Sequence, residues 1–181
     1  LDDKKMIQFI KNLKLKNLRK LYLDKNDIVN IKGLSDFIFA NLTHLYLNSN
    51  KINDIKELNQ VKFEKLLLLD LSQNELINIE TLSKAKFEEL SIFNLSHNKI
   101  NDIFSHVSFI NLKSLYLNNN HIKNIEVFCS ISFDKLEILS LSNNDIINIK
   151  PLRNSKLKSL KKLDLGFNKI ENIEKELSKK K

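Results

Sequence analysis

Leucines and isoleucines recur along this chain at a nearly constant interval, and polar residues recur at fixed places between them. The segment LRKLYLDKN (residues 18–26) is repeated as LTHLYLNSN (residues 42–50). The frame occurs seven times, and its final asparagines are separated by steps of 24, 24, 24, 22, 24 and 24 residues. These asparagines are Asn26, Asn50, Asn74, Asn98, Asn120, Asn144 and Asn168. Seven copies at this spacing indicate a repeat protein in which each copy forms one coil.

Each copy is centred on two apolar residues separated by one residue; both are leucine, as in Leu45 and Leu47, except in the fourth copy, where Phe93 precedes Leu95. Alternation at period two predicts a short strand with one buried face. Two isoleucines follow the asparagine, and a large apolar residue opens the next copy. This last column consists of Leu15, Phe39, Phe63, Phe87, Phe109, Phe133 and Leu157. One coil cannot bury these side chains alone, so stacked coils must share one core, with the aromatic column behind the sheet.

The pattern LxxLxLxxNxI resembles the leucine-rich repeat family over residues 15–180. Within that family the copies resemble those of phosphatase regulatory subunits and internalins, which are usually about 22 residues long. The resemblance implies an α/β fold, a right-handed solenoid or horseshoe. Its concave face would carry a parallel β-sheet and its convex face short α-helical or 3-10 segments. The resemblance also implies a non-catalytic module that binds another protein on the concave sheet.

The chain is predicted to form a single domain. Residues 1–14 should form an N-terminal capping helix, because their apolar residues fall on one helical face behind Asp2 and Asp3. Residues 15–181 comprise the seven repeats and a polar C-terminal end. The repeated asparagine lies where the strand turns inward, so its amide should bond the backbone of neighbouring coils as a structural ladder. A second column of Asn and Asp should close tight turns in the same way.

Charge is distributed unevenly along the chain. The net charge is +8, and residues 150–181 contribute 11 Lys and Arg against 4 Asp and Glu. A basic adaptor for nucleic acid or an acidic membrane surface is therefore the alternative function, and a structural spacer is a third. The basic cluster consists of Lys150, Arg153, Lys156, Lys158 and Lys161. On the concave strands three lysines oppose three aspartates, so the basic stripe that a phosphate-binding groove needs is missing. We therefore expect a protein partner, not nucleic acid, and a monomer.

Residues able to support catalysis or bind a metal are scarce in this sequence. The four histidines fall on different sides of the repeat and cannot converge on one metal. With only two glycines, no phosphate-binding loop is present. We expect neither enzymatic activity nor a cofactor. Cys129, the only cysteine, should be a small buried residue, and no intrachain disulfide can form, which favours the cytoplasm. The chain does not begin with Met, so a missing targeting segment stays open.

The candidate binding residues come from the outward strand positions. Tyr22, Tyr46 and Tyr116 lie between the paired leucines, and His44, Leu68, Ile92 and Ile138 stand two residues earlier in their copies. We predict that Leu68, Ile92 and Ile138 form an apolar strip beside the tyrosines, because such patches often mark interaction sites. The face covers roughly 550 Å², against about 800 Å² for a standard interface. Flanking loops, including His97 and Phe167, should therefore take part. The alternative is that Tyr and Ile merely suit strands.

Overall fold

The computed structural model describes residues 4, 5, 8, 10, 17–37, 39–103 and 109–171. Seven three-residue strands form one open parallel sheet in which strand order follows chain order. The strands are β1 (Lys20–Tyr22), β2 (His44–Tyr46), β3 (Leu68–Asp70), β4 (Ile92–Asn94), β5 (Ser114–Tyr116), β6 (Ile138–Ser140) and β7 (Lys162–Asp164). Every one of them falls on the leucine pair of its repeat, which confirms the predicted α/β solenoid.

The strands stand in register, so equivalent repeat positions form straight columns across the sheet. Leu21 pairs with Leu45, and Leu45 pairs with Leu69, at the 24-residue step. Between β4 and β5 the step is 22 residues, yet Phe93 still pairs with Leu115. The two residues are missing between Asn98 and Phe109 in the sequence, after β4 and before β5. The sheet therefore continues through the short copy without a break in register.

Short helical segments form the convex side, as predicted from the repeat. The first three described copies carry 3-10 segments at Leu34–Asp36, Lys56–Asn59 and Glu80–Lys84. The later copies carry two single-turn α-helices, α1 (Val127–Ser130) and α2 (Lys150–Arg153). Pro151 lies in the first turn of α2, where its missing N–H removes no helical hydrogen bond.

The core is one continuous layer of leucine, isoleucine and phenylalanine between the sheet and the convex segments. The predicted aromatic column runs through it, and successive rings stack from coil to coil. The ring centroids of Phe39 and Phe63 are 5.9 Å apart, those of Phe63 and Phe87 are 6.5 Å apart, and those of Phe87 and Phe109 are 6.3 Å apart. Phe133 continues the column at 6.4 Å from Phe109. The described part of this column therefore ties five coils together.

The repeated asparagines bond the backbone of two coils at once. The side-chain nitrogen of Asn74 donates to the carbonyls of Leu47 and Leu71 at 3.0 Å each and to that of Ser72 at 3.1 Å. Its side-chain oxygen accepts from the backbone N–H of Ile52 at 2.9 Å. Equivalent bonds to the preceding coil occur at Asn50, Asn98, Asn120, Asn144 and Asn168. Asn26 bonds carbonyls of its own coil.

A tight turn precedes each of these asparagines. The residue before it adopts the left-handed conformation, with φ between 52° and 56° in all seven coils. Six of these residues are polar, and the seventh is Phe167, at φ 53°. A bulky aromatic residue in this region carries backbone strain that asparagine or glycine would largely avoid.

The predicted capping helix (residues 1–14) lies mostly outside the described residues. Within it, residues 4, 5, 8 and 10 are helical, and Ile10 is buried against the core.

Cys129 is only half-buried, contrary to expectation, because it follows Phe128 on α1 and lies at the convex surface. Its thiol donates to the carbonyl of Pro151 at 3.2 Å.

Candidate partner-binding surface

Side chains alternate along a strand, so β1 to β6 each bury their middle residue, and the two outer residues belong to the concave face. In β7 the middle residue, Leu163, is 42% exposed. Two columns therefore cross this face. The first contains Lys20, His44, Leu68, Ile92, Ser114, Ile138 and Lys162. The second contains Tyr22, Tyr46, Asp70, Asn94, Tyr116, Ser140 and Asp164. All strand candidates named from the sequence stand in these two columns.

An aromatic stack stands at the β1–β2 end of the face. The rings of Tyr22 and Tyr46 are parallel within 2°, with centroids 4.6 Å apart. The ring of His44 stacks beside that of Tyr46, with the two ring centroids 6.3 Å apart. Tyr22 is 59% exposed, whereas His44 and Tyr46 are half-buried. The register of β1 and β2 places these rings side by side on the concave face.

Aliphatic side chains continue this surface toward β4. Leu68 pairs with His44 on one side and with Ile92 on the other. Ile92 is 37% exposed, and Leu67, immediately before β3, is 40% exposed. The carbonyl of Leu67 accepts hydrogen bonds from Ser91 and Ile92, so Leu67 adjoins β4. We call the resulting surface the aromatic–aliphatic patch; it consists of Tyr22, His44, Tyr46, Leu67, Leu68 and Ile92.

The predicted apolar strip is not continuous. Ser114 pairs with Ile92 on one side and with Ile138 on the other, and it is almost fully buried. Ile138 is thereby separated from the aromatic–aliphatic patch by a whole strand. Tyr116 is flanked by Asn94 and Ser140 and contributes to no aromatic stack among the described residues.

The two loop candidates lie apart from the patch and from each other. His97 follows β4, and its Nε2 lies 3.2 Å from the Nδ2 of Asn119 in the next coil. Phe167 follows β7 in the last coil and is 85% exposed. Tyr22 belongs to the first coil, so one small ligand could not contact both Tyr22 and Phe167.

Several polar residues of the second column serve the fold. The carboxylate of Asp70 accepts hydrogen bonds from the N–H of Ser72 at 2.9 Å and from its hydroxyl at 2.6 Å. Asn94 bonds Ser96 in the same manner. The backbone N–H of Gly166 lies 3.1 Å from the Asp164 carboxylate and lowers its pKa, aided by the hydroxyl of Ser142. These groups close the turns after β3, β4 and β7.

The basic C-terminal residues do not form one face. Lys150 and Arg153 lie on α2 at the convex side, whereas Lys161 directly precedes β7 on the concave side. Lys161 is also paired with Glu137 at 2.8 Å. In the described ranges, no three His, Cys, Asp or Glu side chains are grouped closely enough to hold a metal ion. No helix in those ranges is both long and apolar enough for a membrane span.

His44 provides a pH-dependent element within the patch. Burial lowers its pKa below the ordinary 6.5, and the charge of Lys20 lowers it further. As the pH falls, the unfolded chain therefore takes up a proton at His44 before the folded chain does. The contribution of neutral His44 to the free energy of unfolding is present above about pH 6.5 and is lost as the pH falls. Urea titrations at pH 7.5 and 5.0 should show that the stability difference between wild type and His44→Gln shrinks at the lower pH. A difference independent of pH would contradict the assignment.

Comparison with known proteins agrees with this geometry. A sequence model described as leucine rich repeat matches residues 110–170. Internalin C2 of Listeria monocytogenes superposes with a TM-score of 0.73 at 29% identity, covering 88% of this chain and 66% of that one. Internalin InlF of the same organism gives 0.63 at 27% identity, with 84% and 49% coverage. The plant peptide hormone receptor RGFR1, in complex with RGF2, gives 0.64 at 25% identity, with 84% and 25% coverage.

No curated protein sequence is significantly similar to the chain. The repeat frame, the seven-stranded open sheet and the family match define a leucine-rich-repeat solenoid. Within that class the chain resembles the internalins, and it spans less than two thirds of the length of either internalin.

Proposed function

We propose that this chain is a non-catalytic module that binds another protein through the aromatic–aliphatic patch of its concave sheet. The observation that carries the proposal is the stack of Tyr22 and Tyr46 beside three aliphatic side chains on the β1–β4 half of the concave face. Large apolar side chains on a surface cost solubility, and a contiguous group of them typically marks an interaction site. Tyrosine is among the residues that most often dominate binding energy.

The fold supports this role through preorganisation. Each patch residue stands on or directly beside a strand whose middle residue is buried in the shared core. Binding therefore orders little of the protein, and less of the interaction energy is lost as entropy. One structural neighbour, the plant peptide hormone receptor RGFR1, is in complex with RGF2. That complex supports a protein ligand here by analogy.

A pair of double variants tests the proposal. Tyr46→Ala with Ile92→Ala removes one aromatic and one aliphatic member of the patch. It should weaken partner binding by at least about 100-fold, since two central contacts are lost. The matched control, Ile77→Ala with Ile147→Ala, removes two exposed isoleucines outside the sheet. Immobilised wild type and both variants would be used for affinity capture from native cells, followed by mass spectrometry.

The expected result is a captured protein that is retained by the control and lost by the patch variant, with unchanged circular dichroism for both. A third variant, Tyr116→Ala with Ile138→Ala, tests the remaining strand candidates on β5 and β6. If it abolishes capture while the patch variant does not, the binding site lies in the C-terminal half of the sheet and the proposal fails.

A further inference from the structure

We propose that the aromatic–aliphatic patch binds a short acidic peptide segment of its partner, with the carboxylate over β1 and β2 and an aromatic or aliphatic side chain over β3 and β4. The inference rests on the proposed function and adds the chemistry and the direction of the bound segment. It follows from how charge is placed around the patch.

Unpaired positive charge is concentrated at the β1 end of the patch. Arg19 and Lys20 are exposed, and neither has a salt bridge in the part of the chain that the structure describes. Lys20 lies close enough to His44 for its charge to lower the pKa of that imidazole. These two cations therefore border the aromatic stack directly.

Three cations on or directly before β5 and β7 have carboxylates close by. Lys161 is bonded to Glu137, and Lys113 also lies near the Glu137 carboxylate, where it helps to lower its pKa. Lys162 acts in the same way on Asp164. Consequently a partner's carboxylate would meet less uncompensated positive charge at the β5–β7 end than beside Arg19 and Lys20 at the β1 end.

At the other end of the patch Leu67, Leu68 and Ile92 present aliphatic side chains. The nearby carboxylate of Asp70, which pairs with Tyr46 in the second column, is bonded to Ser72 and still carries negative charge, so this end would repel an acidic group. A partner's charged group placed there would lose hydration without gaining a counter-ion. An apolar side chain would instead bury these exposed aliphatic groups, so the patch is polarised from cationic to apolar.

The size of the patch fixes the length of the segment. From β1 to β4 there are three strand spacings, about 14 Å at roughly 4.8 Å each. An extended segment advances about 3.3 Å per residue, so roughly four residues connect the two ends. The acidic residue and the apolar anchor should therefore stand three to five positions apart. Such a segment also suits the small concave face, which lies below the area of a standard interface between two folded domains.

A displayed library of random twelve-residue peptides tests the inference without a known partner. Selection on the wild-type chain should enrich peptides in which Asp or Glu stands three to five positions from an aromatic or aliphatic residue. Binding of a selected peptide to Arg19→Glu with Lys20→Glu should weaken by about 100-fold, because attraction is replaced by repulsion in a site that the peptide covers. The matched control is Lys156→Glu with Lys158→Glu. It makes the same change in net charge away from the strands and should weaken binding less than about threefold.

The outcomes separate this inference from the function on which it rests. Suppose that binding of the selected peptides depends on Tyr46 and Ile92. If those peptides then show no enrichment of Asp or Glu, or bind the Arg19 and Lys20 variant as tightly as wild type, the proposal of an acidic segment is wrong, but the proposed binding face stands. If they bind the Tyr46 and Ile92 variant as well as wild type, both proposals are wrong. Failure to select any peptide would overturn the short segment as the bound element.

Discussion

Replacing Phe87 by alanine should lower the free energy of unfolding by about 3–5 kcal/mol. Phe87 is fully buried, and its ring stacks between those of Phe63 and Phe109. The centroid of its ring also lies 6.2 Å from that of Phe93. Alanine would leave a cavity between two coils that the rigid repeat backbone cannot close. The loss should therefore include both the transfer free energy of the ring and the cost of the cavity.

Urea titration followed by circular dichroism measures this effect. The matched control is Phe167→Ala, which deletes the same ring from a side chain that is 85% exposed. It keeps a non-glycine residue at the left-handed position and should change stability by less than about 0.5 kcal/mol. Similar losses in the two variants would mean that the aromatic column does not hold the coils together.

Replacing Asn74 by alanine should cost about 2–3 kcal/mol. The backbone N–H of Ile52 loses its acceptor and stays buried without a partner. The carbonyls of Leu47 and Leu71 are less affected, because Asn50 and Asn98 also donate to them. The cost therefore comes mainly from one unsatisfied donor and from the space left by the amide.

Two companion variants sharpen the test of Asn74. Asn101→Ala, on an exposed residue, should change the free energy of unfolding by less than about 0.5 kcal/mol. Asn74→Asp keeps the acceptor for Ile52 but turns a carboxylate toward the carbonyls of Leu47, Leu71 and Ser72. Burial and these carbonyls would raise the pKa of that Asp, so this variant should regain stability as the pH falls. Equal stability of the Asn74→Ala and Asn101→Ala proteins would argue against the ladder.

The repeat frame was sufficient to predict the fold because each of its positions has one physical role. Period-two leucines locate every strand, and the constant step implies parallel strands in chain order. The short convex segments were expected from the family resemblance, and Pro151 lies in the first turn of one of them. Such regularity leaves few alternative structures, since a shift of one residue would expose a leucine column in every coil.

The candidate site was less predictable, because it depends on exceptions to the frame. The repeat pattern does not identify Leu67 as part of the patch, because the equivalent position carries Arg, Thr, Ser, Lys or Glu in the other copies. The separation of Ile138 was predictable in principle, since Ser114 stands between Ile92 and Ile138 in the same column. Asn94 stands in an outward column, yet its side chain closes the turn at Ser96.

Exposure and ring geometry lay beyond the sequence altogether. The sequence placed Tyr22 and Tyr46 in one column, but their parallel stacking depends on side-chain rotamers and on the exact spacing of the strands. Cys129 was expected to be buried because it follows Phe128, yet a single helical turn at the convex surface can bury only one of two adjacent residues.

The parallel register has a mechanical consequence. Hydrogen bonds between strands run along the long axis of the solenoid, so tension applied between its first and last coils would load the contacts between coils in series. The weakest contact would open first and release one coil of 24 residues, which is about 80 Å of extended chain. A protein built in this way lengthens under load in discrete steps and can keep its remaining coils folded.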